Sequence, residues 1–149
     1  MATFESVAVQ TVATQQNVLF TTPTCYSKNC QGSILYTNGS GLVSLRGSNC
    51  PCNPAKYRVT YGANIAVPTG GTVGPIALAL SLNGEALLGT QRTVAPTVVD
   101  AFFAVSGTTE IEIPCGGIYQ IAVKNVVPTG GTAQDINVSN ASLTITRVA

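Results

Sequence analysis

The stretch Ile76-Ala-Leu-Ala-Leu-Ser-Leu82 indicates the fold class, because its large and small side chains alternate strictly. Side chains of a β-strand point alternately to the two faces of the sheet. The large residues therefore predict a core face, and the small residues between them predict a face that can pack closely. Asn83-Gly84 follows between two apolar stretches and predicts a two-residue hairpin turn.

The same alternation recurs further along the chain. It occurs in Glu110-Ile111-Glu112-Ile113 and in Leu143-Thr144-Ile145-Thr146, which we interpret as half-buried strands. Gly and Pro interrupt the sequence from Pro23 to Gly131, and no window shows apolar residues at helical spacing for three turns. We therefore expect an all-β protein with essentially no helix.

The hexapeptide VPTGGT occurs twice, at Val67–Thr72 and at Val127–Thr132. Each copy follows a predicted strand that contains Tyr and precedes another apolar strand. Two copies are too few for a solenoid or a propeller, so short strands separated by regular turns predict an antiparallel sandwich or jelly roll. Neither copy has the Gly-Lys-Ser/Thr ending and following helix of a phosphate-binding loop, and we interpret both as turns.

The length of the chain predicts one domain over residues 1–149. The composition predicts a surface with few charged side chains. Charged residues make up 9% of the chain, against about 25% in an ordinary soluble domain. Few charges favour burial against neighbouring subunits, because few ions need desolvation. The net charge is +1, and the basic residues are scattered. They are Lys28, Arg46, Lys56, Arg58, Arg92, Lys124 and Arg147.

Scattered basic residues argue against nucleic acid as a partner. No apolar run reaches the ~20 residues that cross a bilayer, so we expect no membrane partner. The N-terminal stretch MATFESVAVQTVATQQ lacks a basic start and a continuous apolar run, so it does not predict a secretory signal peptide.

Catalytic chemistry is poorly supported by the residues present. The chain contains no His and no Trp, which removes the commonest general base and the usual catalytic triads. Glu110 and Glu112 lie about 7 Å apart on one face of a predicted strand, but a solvated strand face explains them. Asp100 and Asp135 are isolated and lack the spacing of a calcium loop. We expect no catalytic residue, no cofactor and no enzyme activity.

Four of the five cysteines form two close pairs, Cys25 with Cys30 and Cys50 with Cys52. They could form disulfides in an oxidising setting, bind a metal such as zinc, or remain free thiols. The spacing departs from the usual CxxC knuckles, which weakens the zinc interpretation. We expect the fifth, Cys115, to be a small buried apolar residue.

From about Ala55 onward the order of elements resembles a known group of trimeric jelly rolls, which are similar to tumour necrosis factor (TNF) or C1q. Such modules form the C-terminal domains of bacterial collagen-like spore-surface glycoproteins and also occur in phage virion proteins. The resemblance implies a homotrimer that packs apolar and small residues about a threefold axis, with no catalytic residues. It rests on KYRVTYGANIAV, LALSLNGEALLGT, TTEIEIPCGGIYQIAVKN and ASLTITRVA.

The chain has no Gly-X-Y collagen stalk, and the residues before Ala55 have no counterpart in the resemblance. Together these features favour a phage virion protein, a capsid decoration or head-fibre subunit assembled in the host cytoplasm and exposed after lysis. We expect residues 1–22 to contribute to attachment or to the trimer.

The alternative is a receptor- or glycan-binding module of a tail tip or of a bacterial or spore surface protein. Its ligand would lie on exposed loops such as Gly89 to Thr97 or the VPTGGT turns. The small number of aromatic residues, five Tyr and four Phe, counts against a sugar site on those loops.

Overall fold

The computed structural model describes residues 2–25, 34–37, 40–47 and 53–148. The strands in these ranges are β1 (Ala2–Ser6), β2 (Gln10–Val12), β3 (Thr22–Cys25), β4 (Ile34–Thr37), β5 (Leu42–Arg46), β6 (Ala55–Ala66), β7 (Ile76–Leu82), β8 (Glu85–Ala86), β9 (Arg92–Val94), β10 (Phe103–Ile113), β11 (Ile118–Val126) and β12 (Ile136–Arg147). A single 3-10 turn, Leu88–Thr90, is the only helical element in the described ranges, and no helix there could span a bilayer.

The strands form two antiparallel sheets. Sheet A has the order β10-β6-β12-β1-β3, with β2 also paired to β12. Sheet B has the order β4-β5-β11-β7-β8, with β9 also paired to β7. From β10 onward each strand lies in the opposite sheet from the one before it, so the connections cross between the two layers. The predicted all-β class and the antiparallel pairing are confirmed.

The core lies between the two sheets, because every second side chain along a strand points inward. Along β6 the residues at odd positions are buried as far as Ile65, while those at even positions between them are exposed or half-buried. In β7, Leu78 and Leu80 join the main core, and Ala77 and Ala79 are buried on the other side of the sheet with Val126. The small face of β7 therefore packs closely, as predicted.

Two tyrosines on β6 connect the sheets through the core. The Tyr57 hydroxyl donates to the carbonyl of Arg46 at the end of β5, at 2.6 Å. The Tyr61 hydroxyl lies 2.6 Å from the carbonyl of Thr90 and 3.0 Å from that of Leu78. Burial raises the pKa of Tyr61 to about 12, and the Arg92 guanidinium opposes this shift. Both hydroxyls therefore satisfy their hydrogen bonds without reaching water.

The N-terminal segment takes part in both sheets. β1 and β2 pair with β12 in sheet A, and the amides of Gln15 and Val18 then bond to β11 in sheet B. Val12, Val18 and Phe20 are buried in the core. Residues 2–22 thus contribute to the fold itself, and their contribution to attachment or to a trimer stays a prediction.

The predicted turns are confirmed by their backbone angles. Asn83 and Gly84 have φ of 51° and 90°, and a type I′ hairpin requires positive φ at both positions. In the two VPTGGT loops, Gly70 and Gly130 have φ of 87° and 80°. Each loop closes with the same hydrogen bond, from the following glycine to the proline carbonyl, at 2.9 Å. Positive φ at the third residue is what a type II turn needs, and glycine supplies it.

Candidate assembly surface

The outer face of sheet A carries a row of threonines across four neighbouring strands. We call the set formed by Thr108 of β10, Thr60 of β6, Thr144 of β12 and Thr3 of β1 the threonine row. The strand registers place its members directly opposite one another. The hydroxyls of the first two are 3.1 Å apart and share a hydrogen bond. Every member has the same short side chain, so no long side chain projects from the row.

On β10, β6 and β12 the next row toward the VPTGGT loops is also made of small residues, and on β1 it continues with Glu5. Ser106, Gly62 and Ser142 lie opposite one another on β10, β6 and β12. Such a surface allows another backbone to approach closely, and its hydroxyls can both donate and accept hydrogen bonds.

Charged residues lie on the other side of the threonine row. Arg58 and Glu110 form an ion pair at 2.9 Å, with both side chains 56% exposed. Glu112 lies opposite Lys56 and is also exposed. The solvated strand face predicted for the two glutamates is confirmed. In the described part of the chain, no three His, Cys, Asp or Glu residues come close enough to hold a metal.

The two VPTGGT loops pack side by side at one end of the sandwich. The side-chain amide of Gln134 bonds twice to the backbone of Thr72, accepting at 2.9 Å and donating at 2.8 Å. A Cβ on Gly131 would lie 2.8 Å from the carbonyl oxygen of Pro75, so this position admits only glycine without a shift of the backbone. The two loops that carry the repeated hexapeptide are therefore in direct contact.

A third loop, residues 95–102, joins the same end. The Asp100 amide donates to the Val67 carbonyl at 2.8 Å, and the Thr69 hydroxyl donates to the Asp100 carboxylate. We call residues 67–75, 95–102 and 127–135 the loop end. Its sequence contains two carboxylates and no Lys or Arg. Its exposed apolar residues are Val73, Val98, Phe102 and Val127.

No protein-family model matches the sequence, and no curated protein matches it. The solved globular domain of zebrafish complement 1qA protein is similar over 99% of this chain and 96% of its own, at a TM-score of 0.58 and 9% identity. The fold is a C1q-like jelly roll. Rabbit GITRL matches over 78% of each chain at a TM-score of 0.43 and 16% identity. The C-terminal domain of the sugar-binding protein EclA matches over 95% of this chain and 79% of its own, at a TM-score of 0.40 and 15% identity.

The predicted jelly-roll class is therefore confirmed at the level of the fold. Identity this low says nothing further about which residues act or on what. The functional surface has to be argued from this chain's own side chains.

The stretch Gly89 to Thr97 was expected to be an exposed loop, and this is wrong for most of it. It begins inside the 3-10 turn and continues as β9, which pairs with β7. Thr90 is buried, and its hydroxyl is satisfied because it accepts from the Leu80 amide at 2.9 Å and donates to the Leu87 carbonyl at 2.7 Å. Only the last residues of the stretch belong to the exposed loop end.

The expected burial of Cys115 is wrong as well. It lies exposed in the tight connection between β10 and β11. Cys30, Cys50 and Cys52 lie outside the described residues, and for Cys25 only its backbone place at the end of β3 is described. The disulfide, metal and free-thiol alternatives for these four residues stay open.

Sequence reasoning missed the threonine row. Its members are far apart in the chain, at positions 3, 60, 108 and 144, and become neighbours only through the pairing of β1, β6, β10 and β12. The available signal was a threonine on the polar side of each alternating strand, but alternation gives the face of a residue and not its register.

Proposed function

We propose that this protein is a non-catalytic structural subunit of a phage virion, a capsid decoration or head-fibre protein that assembles as a homotrimer. Its partners are copies of itself and other virion proteins, rather than nucleic acid or membrane. The observation that carries the proposal is the patch of small, mostly uncharged side chains in the two central rows of the outer face of sheet A.

Physical chemistry supports self-association through this face. Burying a charge without a partner is costly, whereas a hydroxyl can exchange a hydrogen bond with water for one across an interface. The two central rows contain threonine, serine and glycine, and Glu5 of β1 is the only charged residue at their described positions. The Arg58–Glu110 pair lies to one side, where the solvated rim of an interface tolerates charges.

Light scattering on the purified chain tests the trimer. We expect a mass three times the 15.3 kDa of the chain. Thr60→Arg should reduce the mass, because it places a long cation in the centre of the small-residue face in every subunit. Gln120→Arg is the matched control, since Gln120 is exposed on sheet B. A monomer at micromolar concentration, or equal masses for both variants, would contradict assembly through this face.

The virion assignment needs a separate measurement. Quantitative proteomics of purified virions should give hundreds of copies per particle for a decoration or head-fibre protein, and immunogold labelling should mark the head. A few copies at the tail would favour the receptor-binding alternative. Absence from virions would overturn the assignment and would leave the trimer unaffected.

The second candidate function, receptor binding, is favoured by one feature of the loop end. Val98 is 61% exposed and Phe102 is 42% exposed, both on the loop 95–102 that Asp100 joins to the first VPTGGT loop. Apolar side chains on a rigid scaffold suit protein recognition. In this alternative Phe102→Ser abolishes binding to host cells without a change in oligomeric mass.

A further inference from the structure

A groove lies between β2 and the returning chain at residues 16–19. Its volume is about 440 Å³, within the roughly 300–1,000 Å³ of small-molecule pockets. Ala13 and Leu19 contribute exposed apolar surface, and Leu19 is 41% exposed. None of its lining residues belongs to the threonine row or to the loop end.

One end of the groove is spanned by the side chain of Gln10. Its amide nitrogen donates to the Leu19 carbonyl at 2.8 Å, and its amide oxygen accepts from the Leu19 N–H at 2.9 Å. One side chain thus replaces the pair of hydrogen bonds that a neighbouring strand would make. The two chain segments are held apart by the width of that side chain, which keeps the groove open.

The wall opposite β2 is fixed by a close backbone contact. The Asn17 side-chain nitrogen donates to the Ser40 carbonyl at 3.1 Å. Gly41 has φ of 70°, and a Cβ there would lie 2.5 Å from the Val18 carbonyl oxygen. Only glycine can bring this turn so close to Val18 without a shift of the backbone.

Three polar side chains of the groove have unused hydrogen-bonding capacity. Among the described residues, the side-chain amide of Gln16 makes no hydrogen bond, and the side-chain oxygen of Asn17 accepts none. The Thr11 hydroxyl donates to Asn137 at 3.0 Å and keeps its lone pairs. Together they offer donors and acceptors next to apolar surface, and none of them is charged.

We propose that this groove binds a neutral saccharide of one or two rings. A charged ligand would find no counter-charge, because none of the lining residues is ionisable. A purely apolar ligand would cover the amides of Gln16 and Asn17 without satisfying them. A sugar ring presents hydroxyls at its edge and C–H groups on its face, which matches both kinds of surface. The site depends on neither the trimer nor the virion assignment.

Side-chain amide signals in ¹H–¹⁵N NMR spectra test this site directly. Glucose, galactose, mannose and N-acetylglucosamine are each titrated into the full chain, with sorbitol and inorganic phosphate as controls. We expect at least one sugar to shift the Gln16 and Asn17 amide signals, which are assigned from their loss in Gln16→Ala and Asn17→Ala. Sorbitol and phosphate should leave these signals unchanged.

The variants separate a specific site from weak surface contact. Gln16→Ala should weaken binding roughly three- to tenfold, as expected for one neutral hydrogen bond. Gln120→Ala, outside the groove, should leave it unchanged. Thr11→Val is the second variant and should also weaken binding.

Each other outcome overturns the proposal. Absence of shifts with all four sugars excludes a neutral saccharide of this class. Equal shifts with sorbitol mean that ring recognition is absent, and shifts outside the groove place the ligand elsewhere. The oligomeric mass is measured on the same samples, so failure here is distinct from failure of the trimer.

Discussion

Two adjacent rows of sheet A run across the same four strands and differ in almost every property. The inner row is Gly107, Tyr61, Leu143 and Phe4, and the outer row is Thr108, Thr60, Thr144 and Thr3. Each member of one row is the chain neighbour of a member of the other. The inner row is buried, with relative exposures of 4% or less for its three large side chains.

The side chains of the inner row differ in size and fit against one another, whereas those of the outer row are all threonines. A Cβ on Gly107 would lie 2.7 Å from the Tyr61 ring and 3.0 Å from the Thr90 carbonyl oxygen, so the tyrosine needs a glycine beside it. The outer row repeats one side chain and needs no such fit. We infer that the inner row determines stability and that the outer row is free to serve contacts outside the fold.

The largest expected difference between the rows comes from alanine at neighbouring positions. Leu143→Ala should lower the free energy of unfolding by about 2–5 kcal/mol, because it opens a cavity between Tyr61 and Phe4. Thr144→Ala should change it by less than about 0.5 kcal/mol. Urea unfolding at one protein concentration measures both. Similar losses for the two variants would contradict the division of roles.

A smaller effect is expected for the hydroxyl of Tyr61. Tyr61→Phe keeps the ring but removes the donor to the Thr90 and Leu78 carbonyls, which should cost about 1–3 kcal/mol. Thermal unfolding with Tyr119→Phe as the control measures this loss, since the Tyr119 ring is only partly buried against the core. An equal loss in the control would show that the connection between the sheets contributes little.

The same hydroxyl predicts a dependence on pH. Burial raises the pKa of Tyr61 from 10.0 to about 12 in the folded protein, so between these values the folded state binds a proton that the unfolded state has released. Stability should therefore fall as pH rises from 10 to 12, whereas below pH 10 the contribution of this group is complete and does not depend on pH. The stability difference between wild type and Tyr61→Phe should shrink over that interval. A constant difference would exclude Tyr61 as its source.

Local patterns in the sequence predicted β7 and the last parts of β10 and β12, at 110–113 and 143–146, because apolar residues alternate there with small or polar ones. The Asn83-Gly84 hairpin and both VPTGGT turns were predictable because positive φ strongly favours glycine or asparagine. The strands before Ala55 were missed. β1, β2 and the residues up to Phe20 are short pieces divided between two sheets, and no window of sequence shows a single period over them.

The candidate surfaces were less predictable than the fold. The groove exists because Gln10 takes the place of a strand and because Gly41 approaches Val18. Both contacts join segments that come close only in the folded protein, so no local sequence pattern predicts them. The exposure of Cys115 was missed for a related reason, since Pro114 and the two glycines after it turn the chain outward between β10 and β11.

The smallest expected effect concerns the only ion pair between described residues, Arg58–Glu110, on the outer face of sheet A. A double-mutant cycle with Arg58→Gln and Glu110→Gln should give a coupling of about 0.2–1 kcal/mol that weakens with salt, because both side chains are solvated. Glu112→Gln is the control on the same strand and face. A salt-independent coupling above this range would mean that the pair is desolvated. The interface between subunits would then have its buried centre beside the charges, and the threonine row would lie toward its edge.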